Sequence, residues 1–254
     1  LKQPSRHLGL VQAQERSDLT HFLDQAADIM TAQLDLDRIK ALLSPMPQPT
    51  VPPRVPPPAQ RIAIAQDAAF AFNYPHLLQD WHAAGATLSF FSPLADEAAP
   101  ETDFIYLPGG YPELHAGKLA ANAVFLNSLR RAKVPIYGEC GGYMILGEAL
   151  TDADGVTHQM AGLLALETSF AQRKLHLGYR HLQADLGPMT GRWMGHEFHY
   201  ATTVKATGTP LFATHDAEGT TLDPMGLIHD NVSGSFGHII DTASTGLASL
   251  KPQA

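Results

Sequence analysis

Val134-Pro135-Ile136-Tyr137-Gly138-Glu139-Cys140-Gly141-Gly142-Tyr143-Met144 runs from a short apolar segment into glycines that bracket the only cysteine of the chain. Val134 to Tyr137 reads as a buried strand, and Gly141 to Leu150 as the helix that follows it. A Gly-x-Cys-Gly-Gly turn between strand and helix has the layout of a nucleophile elbow, with sulfur in place of a serine oxygen. Small flanking residues let backbone and substrate approach the side chain. A seat at a helix N-terminus predicts a thiolate, because free amide donors and the helix dipole favour negative charge there. The other reading of Cys140 is a small buried hydrophobe in a Gly-rich packing contact.

Outward from this stretch, strands and helices alternate. Arg61 to Ala65, Thr87 to Phe91 and Asp103 to Leu107 read as strands, Tyr74 to Ala84 and Lys118 to Ala132 as helices. That alternation predicts an α/β fold with a mostly parallel sheet flanked by helices. Right-handed crossovers would bring the functional loops to the carboxyl ends of the strands. From Gly162 strand-like runs dominate, including Leu175 to Leu182, Glu197 to Val204, Gly226 to His229 and Val232 to His238, the last entered through an Asp230-Asn231 turn. The C-terminal half is therefore expected to be β-rich.

Eight prolines between positions 45 and 58 mark the clearest boundary. Their density removes backbone donors and fixes φ, so residues 45–59 read as a stiff polyproline-type linker. Residues 1–44 are helical in pattern: Leu19, Phe22, Leu23, Ala26, Ile29 and Met30 recur at helical spacing, and Asp35 is placed to cap a second short helix. With so few bulky apolar groups this segment cannot bury a core of its own, and it reads as the tail of another, incomplete domain. Leu1 stands where Met is expected, without a signal-peptide pattern, so the chain is expected to be a piece of something longer. Residues 60–254 form the main domain.

Of the 254 residues 44% are hydrophobic and 17% charged, the balance of an ordinary globular protein. A formal charge of −8 without a Lys/Arg block argues against nucleic acid or an anionic membrane as the main partner. No apolar run approaches the roughly 18–20 residues that cross a bilayer. One cysteine excludes an internal disulfide framework and a multi-Cys zinc site, and it fits a reducing, cytoplasmic setting. Oligomeric state, a homo-oligomer included, is left open.

A cysteine acylation site needs an oxyanion hole and a base. Leu107-Pro108-Gly109-Gly110-Tyr111-Pro112-Glu113 places glycines at a strand's carboxyl end, where free amides would stabilise a tetrahedral intermediate by about 3–4 kcal/mol per donor. An ordinary turn is the alternative. Among 13 histidines, His238 at the end of Val232-Ser233-Gly234-Ser235-Phe236-Gly237-His238 is the candidate base, with His196 and His199 as competitors. Gly195-His196-Glu197-Phe198-His199-Tyr200 does not match the His-Glu-x-x-His zinc pattern, and no metal site is expected. Tyr179-Arg180 could offer a cation to a carboxylate or form an exposed salt bridge.

Taken together, Ser5-Arg6-His7-Leu8-Gly9-Leu10, Leu107 to Glu113, Gly138 to Gly147, Gly195 to Tyr200 and Val232 to His238 resemble the C-terminal part of the cobyrinic (hydrogenobyrinic) acid a,c-diamide synthase family. The resemblance implies a class I-type glutamine amidotransferase domain joined to an ATP-dependent synthetase domain that amidates the a and c acetate carboxylates of the corrin ring. By motif, Cys140 would attack glutamine, His238 would be the base, and Gly110 and Gly141 would supply the oxyanion hole. Gly109, Tyr111, Arg180, Glu197 and His199 would be substrate-binding candidates. Glutamine and, through the synthetase domain, a corrinoid would be the partners. ATP and magnesium would belong to the synthetase domain, since Gly-x-x-x-x-Gly-Lys-Ser/Thr occurs nowhere in this chain. Ile240 stands where standard class I relatives carry an orienting glutamate. That absence fits the Cys-His dyad that the resemblance implies and leaves the orienting group undefined, with Asp241 and Glu197 as candidates. A cobyric acid synthase or related ligase, or a catalytically silent binding module, are the alternative readings.

Overall fold

The computed structural model describes residues 1–6, 9–45 and 55–243. His7 and Leu8 of the early motif, residues 46–54 of the Pro-rich stretch, and residues 244–254 lie outside them. The chain forms two compact units, Leu1–Pro53 and Arg54–Ala254.

In the first unit β1 (Ser5–Arg6) pairs antiparallel with β2 (Gly9–Leu10), and two helices follow, α1 (Leu19–Gln33) and α2 (Leu36–Ala41). Asp35 caps α2 by accepting from the Arg38 N–H at 2.9 Å. Neither helix buries a residue, and Leu23, Ile29, Met30, Ile39, Leu42 and Leu43 are exposed.

In the second unit the strands β3 (Arg61–Ala65), β4 (Thr87–Phe91), β5 (Phe104–Leu107) and β6 (Ile136–Glu139) are joined by α3 (Pro75–Ala83) and by α4 (Ala116–Ala121) with α5 (Ala123–Arg131). α6 (Gly141–Leu146) leads out of β6. The short strands β7 (Ala149–Thr151), β8 (Thr157–Gln159) and β9 (Leu166–Ser169) come next. They precede β10 (His176–Ala184), β11 (Gly191–His199), β12 (Thr202–Ala206), β13 (Thr209–His215), β14 (Thr221–His229), β15 (Val232–Ser235) and β16 (Gly237–Thr242).

Ten strands make one sheet in the order β16-β11-β10-β13-β14-β15-β6-β5-β3-β4. The four pairings from β15 to β4 are parallel, as helical crossovers require. The five others are antiparallel. The α/β class holds, with parallel pairing confined to one half because the β-rich half connects its strands by hairpins. Only Phe236 separates β15 from β16, yet they occupy the sixth and first places in the order, so these six strands curl round to bring their ends together. A second sheet, β12-β9-β7-β8, lies in the same unit.

Both faces of the parallel strands are buried, and the alternation of side chains sorts them. Ala63, Ala65, Ile105, Leu107 and Ile136 meet Leu119, Phe125, Leu129 and Ile145 on one face. Ile62, Ile64, Phe104, Tyr106 and Tyr137 meet Leu77, Trp81, Phe212 and Ile239 on the other. Val55, at the end of the Pro-rich stretch, is buried in this second cluster, and its N–H donates to Asp80 Oδ2 at 3.3 Å. Residues 55–59 are thus packed on the second unit.

Several sequence-based elements differ in extent: the run Glu197 to Val204 is the end of β11 and the start of β12, and the run Val232 to His238 is β15 and the start of β16, divided at Phe236. The single helix over Lys118 to Ala132 is two helices divided at Asn122, whose Nδ2 donates to the Pro93 carbonyl at 2.7 Å. The helix from Gly141 stops at Leu146, because Gly147 is extended and packed against the Leu166 carbonyl. The strand before Cys140 starts at Ile136 and runs to Glu139; its Ile136 N–H donates to the Asn231 carbonyl at 2.8 Å.

The approach at Gly142 is as tight as any, matched only by that of Gly110 to the Ala69 carbonyl among the described glycines: a Cβ at 142 would lie 2.0 Å from the Leu107 carbonyl oxygen, a backbone atom. Gly142→Ala must therefore push α6 off β5, with an expected loss of about 1–3 kcal/mol, the cost of overpacking a tight core. Gly117→Ala, where nothing lies closer than 3.4 Å, is expected to leave stability within about 0.5 kcal/mol or raise it. Urea denaturation midpoints of the two variants check this.

Candidate active site

Cys140 occupies the single residue between β6 and α6, with φ 47° and ψ −102°. A non-glycine residue in that region stores strain of order 1–3 kcal/mol, which the surroundings must hold in place. They do so from both sides. The Cys140 N–H donates to the Ser235 carbonyl at 2.8 Å, its carbonyl accepts from the Met144 N–H at 3.1 Å, and the Gly142 N–H donates to the Pro108 carbonyl at 3.1 Å. Register does the rest: Ser235 lies opposite Glu139 in the parallel pair β15–β6, so the bend at Phe236 and then His238 follow directly beside the cysteine.

Gly109 shows how close the groups are. A Cβ on it would lie 2.5 Å from His238 Cε1, 3.3 Å from His238 Nε2 and 3.4 Å from Cys140 Cβ. The Nε2 edge of the imidazole and the cysteine thus border the same point, and the lack of a side chain at 109 keeps it open. The Gly110 nitrogen lies 3.2 Å from where a Cβ on Gly141 would sit, so the two amides expected to hold an oxyanion are neighbours. The Gly141 N–H faces the sulfur.

The expected thiolate is not the resting form. Cys140 is 1% exposed, and burial pushes its thiol well above the ordinary cysteine range. The Glu113, Glu139 and Glu197 carboxylates push the same way, and only the Gly141 N–H opposes them. Desolvation outweighs the dipole of a helix of six residues. His238 is 2% exposed, and burial, aided by His196 and His199, lowers its pKa to about 3. Thiol and neutral imidazole is the resting pair.

On the far side of the imidazole is a residue that the sequence reading passed over. Glu139, pointing to the opposite sheet face from Cys140, brings Oε2 to 3.7 Å from His238 Nδ1. Its Oε2 accepts from the Tyr106 hydroxyl at 2.8 Å and its Oε1 from the Ile239 N–H at 3.0 Å. A buried acid in an otherwise apolar strand was the signal available in the sequence. His196, on β11 beside β16, stacks on His238 with centroids 4.7 Å apart and planes 2° from parallel, and is hydrogen-bonded to the Tyr74 hydroxyl.

Residues 61–245 match the CobB/CobQ-like glutamine amidotransferase domain. The chain belongs to that family. It is 52% identical over 250 residues to the hydrogenobyrinate a,c-diamide synthase of Brucella anthropi, covering 95% of this chain and 57% of that protein. The proteins of that name from Rhodobacter capsulatus and Rhizobium meliloti are 48% and 49% identical, over 94% and 95% of this chain and 57% and 58% of theirs. The chain therefore spans less than two thirds of the length of these curated relatives. A solved glutamine amidotransferase from Thermotoga maritima is 14% identical, with a TM-score of 0.45 over 70% of this chain and 75% of that one.

The remaining candidates in this amidotransferase domain divide into two groups. Arg180 donates from Nε and Nη2 to Glu197 Oε2 at 3.0 and 2.8 Å, and both line a cavity of about 600 Å³ with Tyr143, His176, Met225 and Phe236. His199 lies behind it, its ring 3.8 Å from that of Phe236 and its Nε2 2.9 Å from Glu197 Oε1. Tyr111 does not line this cavity; its ring is buried edge-on against Phe72, because its turn is tied back by a bond to the Ala69 carbonyl. Asp241 is engaged with Thr242, and Glu197 with Arg180 and His199, so neither candidate orienting group is held to His238. His176, Glu197 and His199 bring ligand-type atoms within 4.8 Å of one another. Arg180 already neutralises that carboxylate, and two imidazoles differ from the oxygen shell that magnesium takes.

Burial lifts Glu139 from the ordinary carboxylate range to about 7. Its folded form keeps a proton that the unfolded chain loses above about 4.5, so its stabilising contribution is whole below 4.5 and is lost as pH rises through about 7. His238 acts oppositely, its contribution being present above 6.5 and lost as pH falls through about 3. Glu139→Gln removes the first component only. Its stability relative to the parent chain is expected to improve between pH 4.5 and 8, as read from urea midpoints; a pH-independent difference would contradict the assignment.

Proposed function

We propose that this chain is the glutaminase part of a hydrogenobyrinate a,c-diamide synthase, supplying ammonia for ATP-dependent amidation of the a and c carboxylates of a corrinoid precursor. The observation that supports this most is the reach of the similarity: about half the residues are identical over 250 positions, well outside the 61–245 amidotransferase domain. The exposed apolar side chains of α1 and α2 fit a segment that packs on a synthetase domain.

The chemistry follows from the arrangement at Gly109. His238 Nε2, neutral at working pH, accepts the Cys140 thiol proton as the sulfur attacks the glutamine side-chain carbonyl. The Gly110 and Gly141 amides hold the oxyanion. His238 returns the proton to the leaving nitrogen, ammonia departs, and a γ-glutamyl thioester remains. Water, deprotonated by His238, then cleaves the thioester to glutamate and restores the thiol. The Arg180–Glu197 pair beside Tyr143 offers one charge of each sign to the α-carboxylate and α-amino groups of the substrate.

ATP and magnesium are assigned to the synthetase domain; neither the sequence of this chain nor its imidazole-rich donor trio suits them, and no step above uses them. The lone buried thiol fits a reducing cytoplasm. Among the described residues no helix is long and apolar enough to cross a membrane.

The buried, protonated thiol also favours a site that is slow until loaded, so glutamine hydrolysis by the isolated chain is expected to be weak. In the full-length protein, Cys140→Ala is expected to abolish glutamine-dependent amidation of hydrogenobyrinate while free ammonia still supports it. A diazo-ketone glutamine analogue is expected to form an adduct on Cys140, detected by mass spectrometry. Glutamine-driven turnover surviving in Cys140→Ala would refute the nucleophile; amidation of other side chains by the parent protein would move the substrate to a cobyric acid synthase-type ligase.

A further inference from the structure

The imidazole that faces Cys140 through Nε2 must be held on its other nitrogen, or its tautomer and ring angle are undefined. His238 Nδ1 is fully buried and makes no hydrogen bond among the described residues. A buried imidazole nitrogen without a partner is costly and calls for an explanation. The carboxylate that faces it is Glu139, with Oε2 at 3.7 Å. That separation is just beyond a hydrogen bond, and a small rotation of the ring closes it.

We infer that Glu139 is the positioning residue for His238, holding the proton on Nδ1 so that the Nε2 lone pair is directed at the Cys140 thiol. This rests on the proposed glutaminase reading and adds a member to it.

Three further contacts point the same way. Glu139 precedes the nucleophile and Ile239 follows the base, and these two flanking residues are joined directly by the Ile239 N–H to Oε1 bond. Glu139 therefore sets the distance between the two reactive residues through the backbone as well as through the ring. The Tyr106 hydroxyl fixes the other oxygen on the side facing Nδ1. His196 covers one face of the His238 ring and is held by Tyr74, which leaves rotation in the ring plane for Glu139 to control. When His238 takes the thiol proton it becomes a cation in a buried site, and the carboxylate at Nδ1 is the group able to offset that charge.

The groups facing this pair are Tyr106 and Tyr137 from β5 and β6, Tyr74 before α3, Cys140, and His196 and His199 from β11. Neither histidine substitutes for the carboxylate: burial lowers the His196 pKa, and His199 Nε2 is turned to Glu197 Oε1 at 2.9 Å. Ionisation of Glu139 near pH 7 then gives glutamine hydrolysis an acid limb centred there.

Glu139→Gln in the full-length protein keeps the size of the side chain and removes the charge. The expected result is a fall in kcat for glutamine hydrolysis of roughly 10²–10⁴-fold, KM within about twofold, and loss of the acid limb near pH 7. Wild-type kcat with the limb intact in Glu139→Gln overturns the inference. Should that variant fail to fold, imidazole ¹⁵N spectra of the parent protein decide: His238 carrying its proton on Nδ1 supports the role, and on Nε2 refutes it. Cys140→Ala separates the two levels. If it leaves glutamine hydrolysis intact, the dyad falls and this inference with it; if it abolishes hydrolysis while Glu139→Gln runs normally, only the positioning role falls.

Discussion

A chain can pass from a strand into a helix within one residue only where neighbouring backbones may almost touch. At Cys140 that closeness comes from missing side chains: Gly142 lies against the Leu107 carbonyl and Gly138 against Gly142 itself. The same crowding forces a left-handed backbone on the cysteine, aims its side chain at Gly109, and leaves the Gly110 and Gly141 amides beside it. Everything else at the site depends on this junction. The parallel strands β15 and β5 clamp β6 on both sides, and their ends supply the partners of the turn.

Burial then decides the charges. A thiol, an imidazole and a carboxylate share a volume nearly free of solvent, and each is driven towards its uncharged form. The helix dipole, which by itself would favour a thiolate, acts through one amide and loses. A resting thiol and neutral imidazole avoid the cost of buried, unpaired charge.

Much of this was legible in the chain. The short apolar runs of Arg61 to Ala65 and Asp103 to Leu107 read as strands of a sheet covered on both faces, and the glycines around Cys140 as a turn, because both are local demands on residue type. What escaped was set by distant contacts. The helix after Cys140 ends early because Leu166, far along the chain, packs on Gly147. The sheet is parallel in one half only, since hairpins from His176 onward reverse the direction. Glu139 was read as part of the turn rather than of the site: its neighbour His238 reaches it only once six strands have curled. The His196 ring was weighed as a rival base, and stacking on His238 could not be read without that same curl.

The single-residue corner at Phe236 has a bearing on how the protein is made. Glu139 and Ile239 meet across 100 residues, and their meeting waits for the whole antiparallel array to close. On the proposed glutaminase reading, a chain that has not yet closed this array lacks the base that Cys140 needs, so completion of the fold acts as the licence for ammonia release.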